Sequence, residues 1–182
     1  MPFIVVYDAN VLYPNSLRDL LIRVAQAGLV QAKWTDQILD ETFRNLRIDR
    51  PDLDPAKLDR TRTLMNRAIR DVRVTGYEPL IGTVDLPDPD DRHVVAAAIK
   101  SHAQVIVTEN TKHFPPAALT PWNLETRNAD EFVHDLIDLN RQEVYAQIQR
   151  MADAWIRPST VEDVLNALEH LGLLESVTAL RS

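Results

Sequence analysis

The side chains able to do chemistry in this 182-residue sequence are mostly acids, gathered at four places. Asp8 directly follows the apolar run Phe3-Ile-Val-Val-Tyr7. Such a run reads as a strand buried on both faces of a parallel sheet, and ligands in open α/β sheets bind beyond the carboxyl ends of strands. A carboxylate at that point needs company, since burying it alone is costly. A turn, an arginine or a cation would each supply it. Asp88, Asp90 and Asp91 crowd the segment DLPDPDD at 85–91. Asp88 before Pro89 reads as an N-cap ahead of an N1 proline, and acids in a first turn complement the helix dipole. Three carboxylates this close also repel one another, and a cation relieves that. A second apolar run, Val105-Ile-Val-Thr108, ends in Glu109, Asn110, Lys112 and His113. In a parallel sheet this end shares an edge with Asp8. Donors that are all oxygen suit Mg²⁺ or Mn²⁺ rather than zinc. Asp40 and Glu41 adjoin on a helix and both lie off its apolar face, so periodicity does not choose between them, nor between a ligand and a solvated acid. The five histidines have no paired ligand spacing and read as surface or core.

The elements that must position these groups follow from periodicity and caps. Ser16 is expected to cap a helix with Leu20, Leu21, Val24 and Ala27 inside and Gly28 near its stop. Thr35 caps a second helix with Ile38, Leu39, Thr42, Phe43 and Leu46 on one side, and Pro51 breaks it. A third helix is expected from Pro55 to Val72, and an alanine-rich one from Arg92 to His102. The stretch 111–122, with three prolines, reads as a loop. Asn128 with Glu131 forms a capping box for a helix through Leu139. Helices alternating with short apolar strands argue α/β with a mainly parallel sheet. The tail differs. Val144, Ile148, Met151 and Trp155 recur at helical spacing up to a break at Arg157-Pro158. Thr160 with Asp163 starts another helix, with Val164, Leu165, Leu168 and Leu171 inside and Gly172 as its stop. The expected organisation is one α/β domain over residues 1–134 and a small helical appendage over 135–182.

Composition narrows the function. There is no cysteine, which excludes a disulfide framework, a cysteine zinc site and a thiol nucleophile, and fits a reducing cytoplasm, the expected location. The four glycines are too scattered for a phosphate-cradling loop. The longest apolar run, Val94 to Ile99, falls far short of the roughly 20 residues of a membrane span, and the N-terminus does not read as a signal peptide. The net charge of −7 opposes nucleic-acid binding in bulk, but its distribution is uneven. Residues 44–73 hold nine basic residues against five Asp, whereas 128–182 hold four Arg against ten carboxylates. The basic window reads either as a solvated face or as a phosphate contact surface.

Four segments in order carry a resemblance: Asp8-Ala-Asn10 after the first strand, Ile38-Leu-Asp-Glu-Thr-Phe43, Asp91-Arg-His-Val-Val-Ala-Ala-Ala98, and Val107-Thr-Glu-Asn-Thr-Lys-His-Phe114. Over residues 3–134 the chain resembles a PIN-domain nuclease, and more narrowly the VapC-type toxins of bacterial toxin–antitoxin pairs. The resemblance implies a three-layer sandwich with a parallel sheet between helices, and Mg²⁺- or Mn²⁺-dependent cleavage of single-stranded RNA. The metal ligands carried over are Asp8, Glu41 and Asp91. Asp91 is preferred over Asp90 because Ala96 and Ala98 then fall in register. Asn110 and His113 stand where the family often has further acids, so a three-acid, one-metal site is implied, with Asn110 as an oxygen ligand or water-holder. RNA contacts are expected from Arg44, Arg47, Arg62, Arg67, Thr108 and Asn10. The resemblance further implies a homodimer and a small antitoxin that sets an Arg against the acids. Two other readings stand beside it: a PIN-like module that binds RNA or protein without cutting, and an RNA-processing nuclease without an antitoxin. A phosphatase of the haloacid dehalogenase type would need an Asp where Asn10 stands.

Overall fold

The computed structural model describes residues 2–156 and 159–182. Four strands, β1 (Phe3–Tyr7), β2 (Val30–Lys33), β3 (Val105–Val107) and β4 (Glu125–Arg127), form one sheet in the order β2-β1-β3-β4. Every pairing is parallel. The described helices are α1 (Ala9–Leu12), α2 (Asn15–Gln26), α3 (Asp36–Asp49), α4 (Pro55–Ala68), α5 (Arg92–Lys100), α6 (Pro116–Leu119), α7 (Ala129–Ala154), α8 (Val161–His170) and α9 (Leu174–Arg181). The fold is thus α/β, with a four-stranded parallel sheet flanked by helices and a C-terminal helical extension. No described helix is long and apolar enough to cross a membrane.

Strand β1 lies inside the sheet, paired to β2 on one side and β3 on the other. The chain therefore leaves β1 to one side and returns through β3 on the other, and the crevice between their carboxyl ends is the topological switch point. Val5, Val6 and Tyr7 are buried, and the Tyr7 hydroxyl donates to the Leu21 carbonyl at 3.0 Å, tying the strand to α2. Strand β2 is not apparent in the sequence. Its four residues, VQAK, alternate buried and exposed and are too few and too polar to read as a buried run. Strand β4 is three residues long and largely polar, and was equally illegible.

Helix starts agree with the caps with one exception. The Thr35 hydroxyl accepts from the Ile38 amide at 3.0 Å, and Asn128 and Thr160 each form a capping box. Ser16, expected as a cap, lies inside α2; the N-cap position is Pro14, which has no side-chain oxygen to offer. Helix α4 stops at Ala68, four residues short of the expected Val72. Ile69 turns extended, and the chain then bridges Trp34 through Arg73, so pairing alongside the sheet outcompetes the last helical turn. Helix α5 likewise ends at Lys100 rather than His102. The 111–122 stretch carries the short helix α6 and flanking 3₁₀ turns.

The tail packs on the rest of the molecule. Val144, Ile148, Met151, Val164, Leu165 and Leu168 join one continuous hydrophobic cluster with Leu17, Leu20, Leu21 and Val24 of α2. Asn140 interrupts α7 with a non-helical backbone, and its side chain accepts from the Glu143 amide at 3.1 Å, restarting the helix where the sequence suggested two. Leu171, expected inside, is exposed. The expected break at Arg157-Pro158 lies outside the described residues.

Candidate active site

Asp8 is the first residue past β1, and its backbone N–H still donates to Val107 in the style of the sheet. Its side chain is buried but well supported. Oδ1 accepts from the Ala9 amide at 2.8 Å, so Asp8 is also the N-cap of α1. Oδ2 accepts from the Thr108 hydroxyl at 2.9 Å and more weakly from Asn10 Nδ2 at 3.3 Å. Thr108 is the first residue past β3, so adjacent parallel strands deliver donor and acceptor to the same edge. The Thr108 oxygen donates once and accepts twice, from Asn10 Nδ2 at 3.0 Å and the Asn110 amide at 3.1 Å, which uses its full capacity. Asn10 Oδ1 in turn accepts from the Glu109 amide. Thr108, expected among the RNA contacts, is fully buried, and its hydroxyl is spent on supporting the carboxylate. Asn10, half-buried, has both ends of its amide engaged in the same support.

Helix α3 brings Glu41. Ile38, Leu39, Thr42, Phe43 and Leu46 face the core, which turns Glu41 toward the strand ends and leaves Asp40 exposed against Arg62 at 2.7 Å. Packing thus places Glu41, and not Asp40, in one cavity with Asp8. Asp88 caps the turn before α5, its carboxylate accepting from the Asp90 amide at 2.9 Å. Of the three clustered acids, Asp88 is thus structural, Asp91 turns toward Asp8, and Asp90 faces elsewhere. Ala98 lies in the core shared with the sheet, while the fully buried Ala96 and Ala97 pack against Val74 and Tyr77, so small side chains let α5 be covered on both sides.

Asp8, Glu41, Asp91 and Asn110 line one cavity of about 340 Å³. Burial raises the pKa of each of the three acids, and the charge of Asp91 adds to it at Asp8. Asp8 and Asp91 act likewise on Glu41, while Arg44 opposes them. Asp88 and Asp90 push Asp91 upward and His113 pulls it back. His113 Nδ1 stands 3.2 Å from Asp91 Oδ2, so this histidine, expected as surface or core, touches the site. That contact lacks the alignment of a good hydrogen bond, and Asp91 Oδ2 is buried without another. Among the described residues no three Asp, Glu or His side chains close tightly around one point, so the acids share a cavity rather than a finished cage. The donor set nevertheless fits a hard divalent cation: oxygens only, mutually repelling, with one buried carboxylate oxygen unsatisfied. Tyr13, Asn45 and Asp49 also line this cavity, and the Tyr13 hydroxyl donates to Asp49 at 2.8 Å. Asn45 and Asp49 follow Glu41 at intervals of four along α3, a spacing that would have found them once Glu41 was chosen.

Five of the nine cations of the basic window are paired with acids. Arg47 pairs with Asp59, Arg50 with Asp52, Arg62 with Asp36 and Asp40, Arg70 with Asp71, and Arg73 with Asp36. Of the four arginines expected to hold RNA, Arg44 and Arg67 make no ion pair among the described residues, and only Arg44 adjoins Glu41 in a cavity.

A family model described as the PIN domain matches residues 4–112. The chain belongs to the PIN-domain family. A second model, described as the VapC50 C-terminal domain, matches residues 129–182, so the PIN core and its helical extension resemble the VapC type in the same order. A Mycobacterium tuberculosis protein named "Putative ribonuclease VapC50" is 43% identical over 94 residues, 51% of this chain and 55% of that protein. The match thus spans about half the length of that relative. No solved structure matches the chain significantly. The PIN match includes Asp8, Glu41 and Asp91, the three acids that share the cavity.

Proposed function

We propose that this PIN protein is a divalent-metal-dependent endoribonuclease, the toxin of a toxin–antitoxin pair, with a nuclease domain over 1–134 and a helical extension over 135–182. The observation that carries the reading is the shared cavity of Asp8, Glu41 and Asp91 at the switch point, three acids whose burial and repulsion hold their pKa values up.

Asp8, Glu41 and Asp91 would hold Mg²⁺ or Mn²⁺, and Asn110 would hold a further oxygen ligand or a water. A cation so held supplies a polarised phosphoryl oxygen and an activated water. Asp8 is fixed by the saturated Thr108 hydroxyl and the Ala9 amide, so its carboxylate meets substrate without rotating. Glu41 and Asp91, both less buried than Asp8, would complete the ligand set from the facing helices. Arg44 draws the RNA backbone toward Glu41, giving position without sequence. The antitoxin would inhibit by placing an Arg against the same acids, in competition with the cation. A homodimer, implied by the family resemblance, completes the reading.

Purified protein incubated with single-stranded RNA and Mg²⁺ is expected to cut it, and chelator to stop the cutting. Asp8→Asn is expected to lower cleavage at least 100-fold while the melting profile stays cooperative. Wild-type cleavage by that variant would refute the assignment. A second reading, a PIN module that binds without cutting, is favoured by Asn110 and His113 standing where the resemblance has acids; absence of cleavage with Mg²⁺ and with Mn²⁺ would select it.

A further inference from the structure

Glu41 lines two cavities. Beyond the acidic one lies a second of about 340 Å³, walled by Gln37 and Arg44 of α3, by Ile81, and by Pro89, Asp90 and His93 around the start of α5. Its size falls in the range of small-molecule sites, roughly 300–1,000 Å³. Resting on the nuclease reading above, we propose that this cavity holds the base of the nucleotide next to the scissile phosphate, and that it takes a base with an exocyclic amine (guanine, adenine or cytosine) over uracil.

Three observations on these side chains lead there. His93 is 8% exposed, and neither ring nitrogen makes a hydrogen bond among the described residues; Nδ1 is wholly buried. A buried polar ring without partners is unusual in a native protein and calls for an explanation. What remains exposed of His93 lies in the wall of this cavity. Second, the Asp90 carboxylate makes no hydrogen bond or ion pair among the described residues, only its backbone being engaged with Asp88. Third, Gln37 Oε1 accepts from the Tyr77 hydroxyl at 2.9 Å, which holds the amide in place and leaves its NH₂ without a hydrogen bond among the described residues.

The charge of the wall decides what kind of group enters. Asp40 is neutralised by Arg62 at 2.7 Å, which leaves Asp90 and Glu41 against Arg44. That balance is negative and opposes a phosphate. It suits an uncharged group with N–H donors, because an ionised carboxylate only accepts. Aspartate reads nucleic-acid bases in that manner, accepting from the exocyclic amine of cytosine. Uracil offers a single N–H between two carbonyl oxygens, which a carboxylate repels. Ile81 and Pro89 supply apolar walls for the faces of a ring. Arg44 follows Glu41 by three residues on α3, the spacing of helical neighbours, so it meets the phosphate that joins the base to the acids.

The test uses the full chain and labelled heptamers of oligouridylate, either uniform or carrying one central guanine, adenine or cytosine. Binding is read by fluorescence anisotropy in chelator, where no cleavage occurs. The amine-bearing heptamers are expected to bind at least fivefold more tightly than the all-uridine one. Asp90→Asn and Gln37→Ala, both at exposed positions, are each expected to bring the ratio below twofold. His93→Ala is expected to do the same while melting cooperatively. Equal binding of all four heptamers, or none, overturns the proposal, as does a ratio that survives both Asp90→Asn and Gln37→Ala. Cut-site mapping with Mg²⁺ on mixed-sequence RNA separates this idea from the one beneath it. No cutting with the binding ratio intact would refute the nuclease reading and leave the base pocket standing.

Discussion

At the level of single residues, the three acids of the PIN cavity set a stability that depends on pH. Their pKa values are raised in the fold, by burial first and by one another second. Between the ordinary carboxylate range and the raised values, the native state binds more protons than the unfolded chain, so stability falls as pH rises across that window. Below it the three groups cost nothing; above it the cost is complete. Glu41→Gln removes one of the repelling charges, so in chelator at pH 7 its melting temperature is expected to exceed wild type by about 2 °C. The gap should shrink toward about pH 4, where the wild-type acid is itself protonated. A glutamine variant less stable than wild type at pH 7 would refute this. Thr108 is the second sensitive residue. Thr108→Val deletes the donor to buried Asp8 and the acceptor for Asn10 and Asn110, and leaving the Asp8 carboxylate with only the weaker Asn10 donor on that oxygen costs about 1–3 kcal/mol. Mg²⁺-dependent cleavage is expected to drop at least tenfold, and Thr108→Ser to restore it. Full activity in the valine variant would mean that Asp8 needs no hydroxyl to aim it.

At the level of elements, the site depends on how α3 and α5 begin. The Thr35 hydroxyl caps α3 from a fully buried position, and the helix it starts carries Gln37, Glu41, Arg44, Asn45 and Asp49 past both cavities. Thr35→Ala is expected to cost about 1 kcal/mol, or roughly 3 °C in melting temperature for a chain of this size. Because fraying at that end loosens Glu41, Mn²⁺ affinity, measured by calorimetric titration, should fall a few-fold with it. An alanine variant that loses stability and keeps its Mn²⁺ affinity would show that Glu41 is held by packing alone. Helix α5 places Asp91 through a different device. The Asp88 cap and the 3₁₀ turn Pro89–Asp91 offset the two neighbouring acids, so that Asp91 meets Asp8 and Asp90 meets His93 in the adjoining cavity.

At the level of the whole molecule, the proposed boundary near residue 134 divides the sequence without dividing the core. Helix α2 packs against α7 and α8, and Leu17, Leu20, Leu21 and Val24 share one cluster with Val144, Ile148 and Leu165. The far end is fastened as well. Arg141 donates to the carbonyls of Ala179, Leu180 and Ser182, and Asp130 accepts from the Glu175 and Ser176 amides at the start of α9. A chain ending at 134 would expose the apolar face of α2 to water, and an exposed contiguous apolar patch favours association. That truncation is expected to be aggregated or unfolded by gel filtration and circular dichroism. A soluble, cooperatively melting fragment would show that the PIN segment is self-sufficient.

Local signals were enough for several parts of this protein. The continuous run Phe3–Tyr7 announced a buried strand, Thr35, Asn128 and Thr160 announced helix starts, and the order of Asp8, Glu41 and Asp91 announced the PIN resemblance. Each depends on neighbours within a few residues or on residue identity, which a chain carries with it. Strands β2 and β4 were illegible because short polar strands owe their existence to the partner beside them. The choice between Asp40 and Glu41 was equally beyond periodicity, since only the packing of α3 turns one acid inward and gives the other to Arg62. The same holds for the basic window. Its surplus is real in the sequence, but five of its nine cations are matched to acids, and three of them, Arg47, Arg62 and Arg73, meet Asp59, Asp40 and Asp36, which only tertiary structure brings within reach. Charge along a chain is additive, whereas the field it produces depends on distances that the fold alone sets.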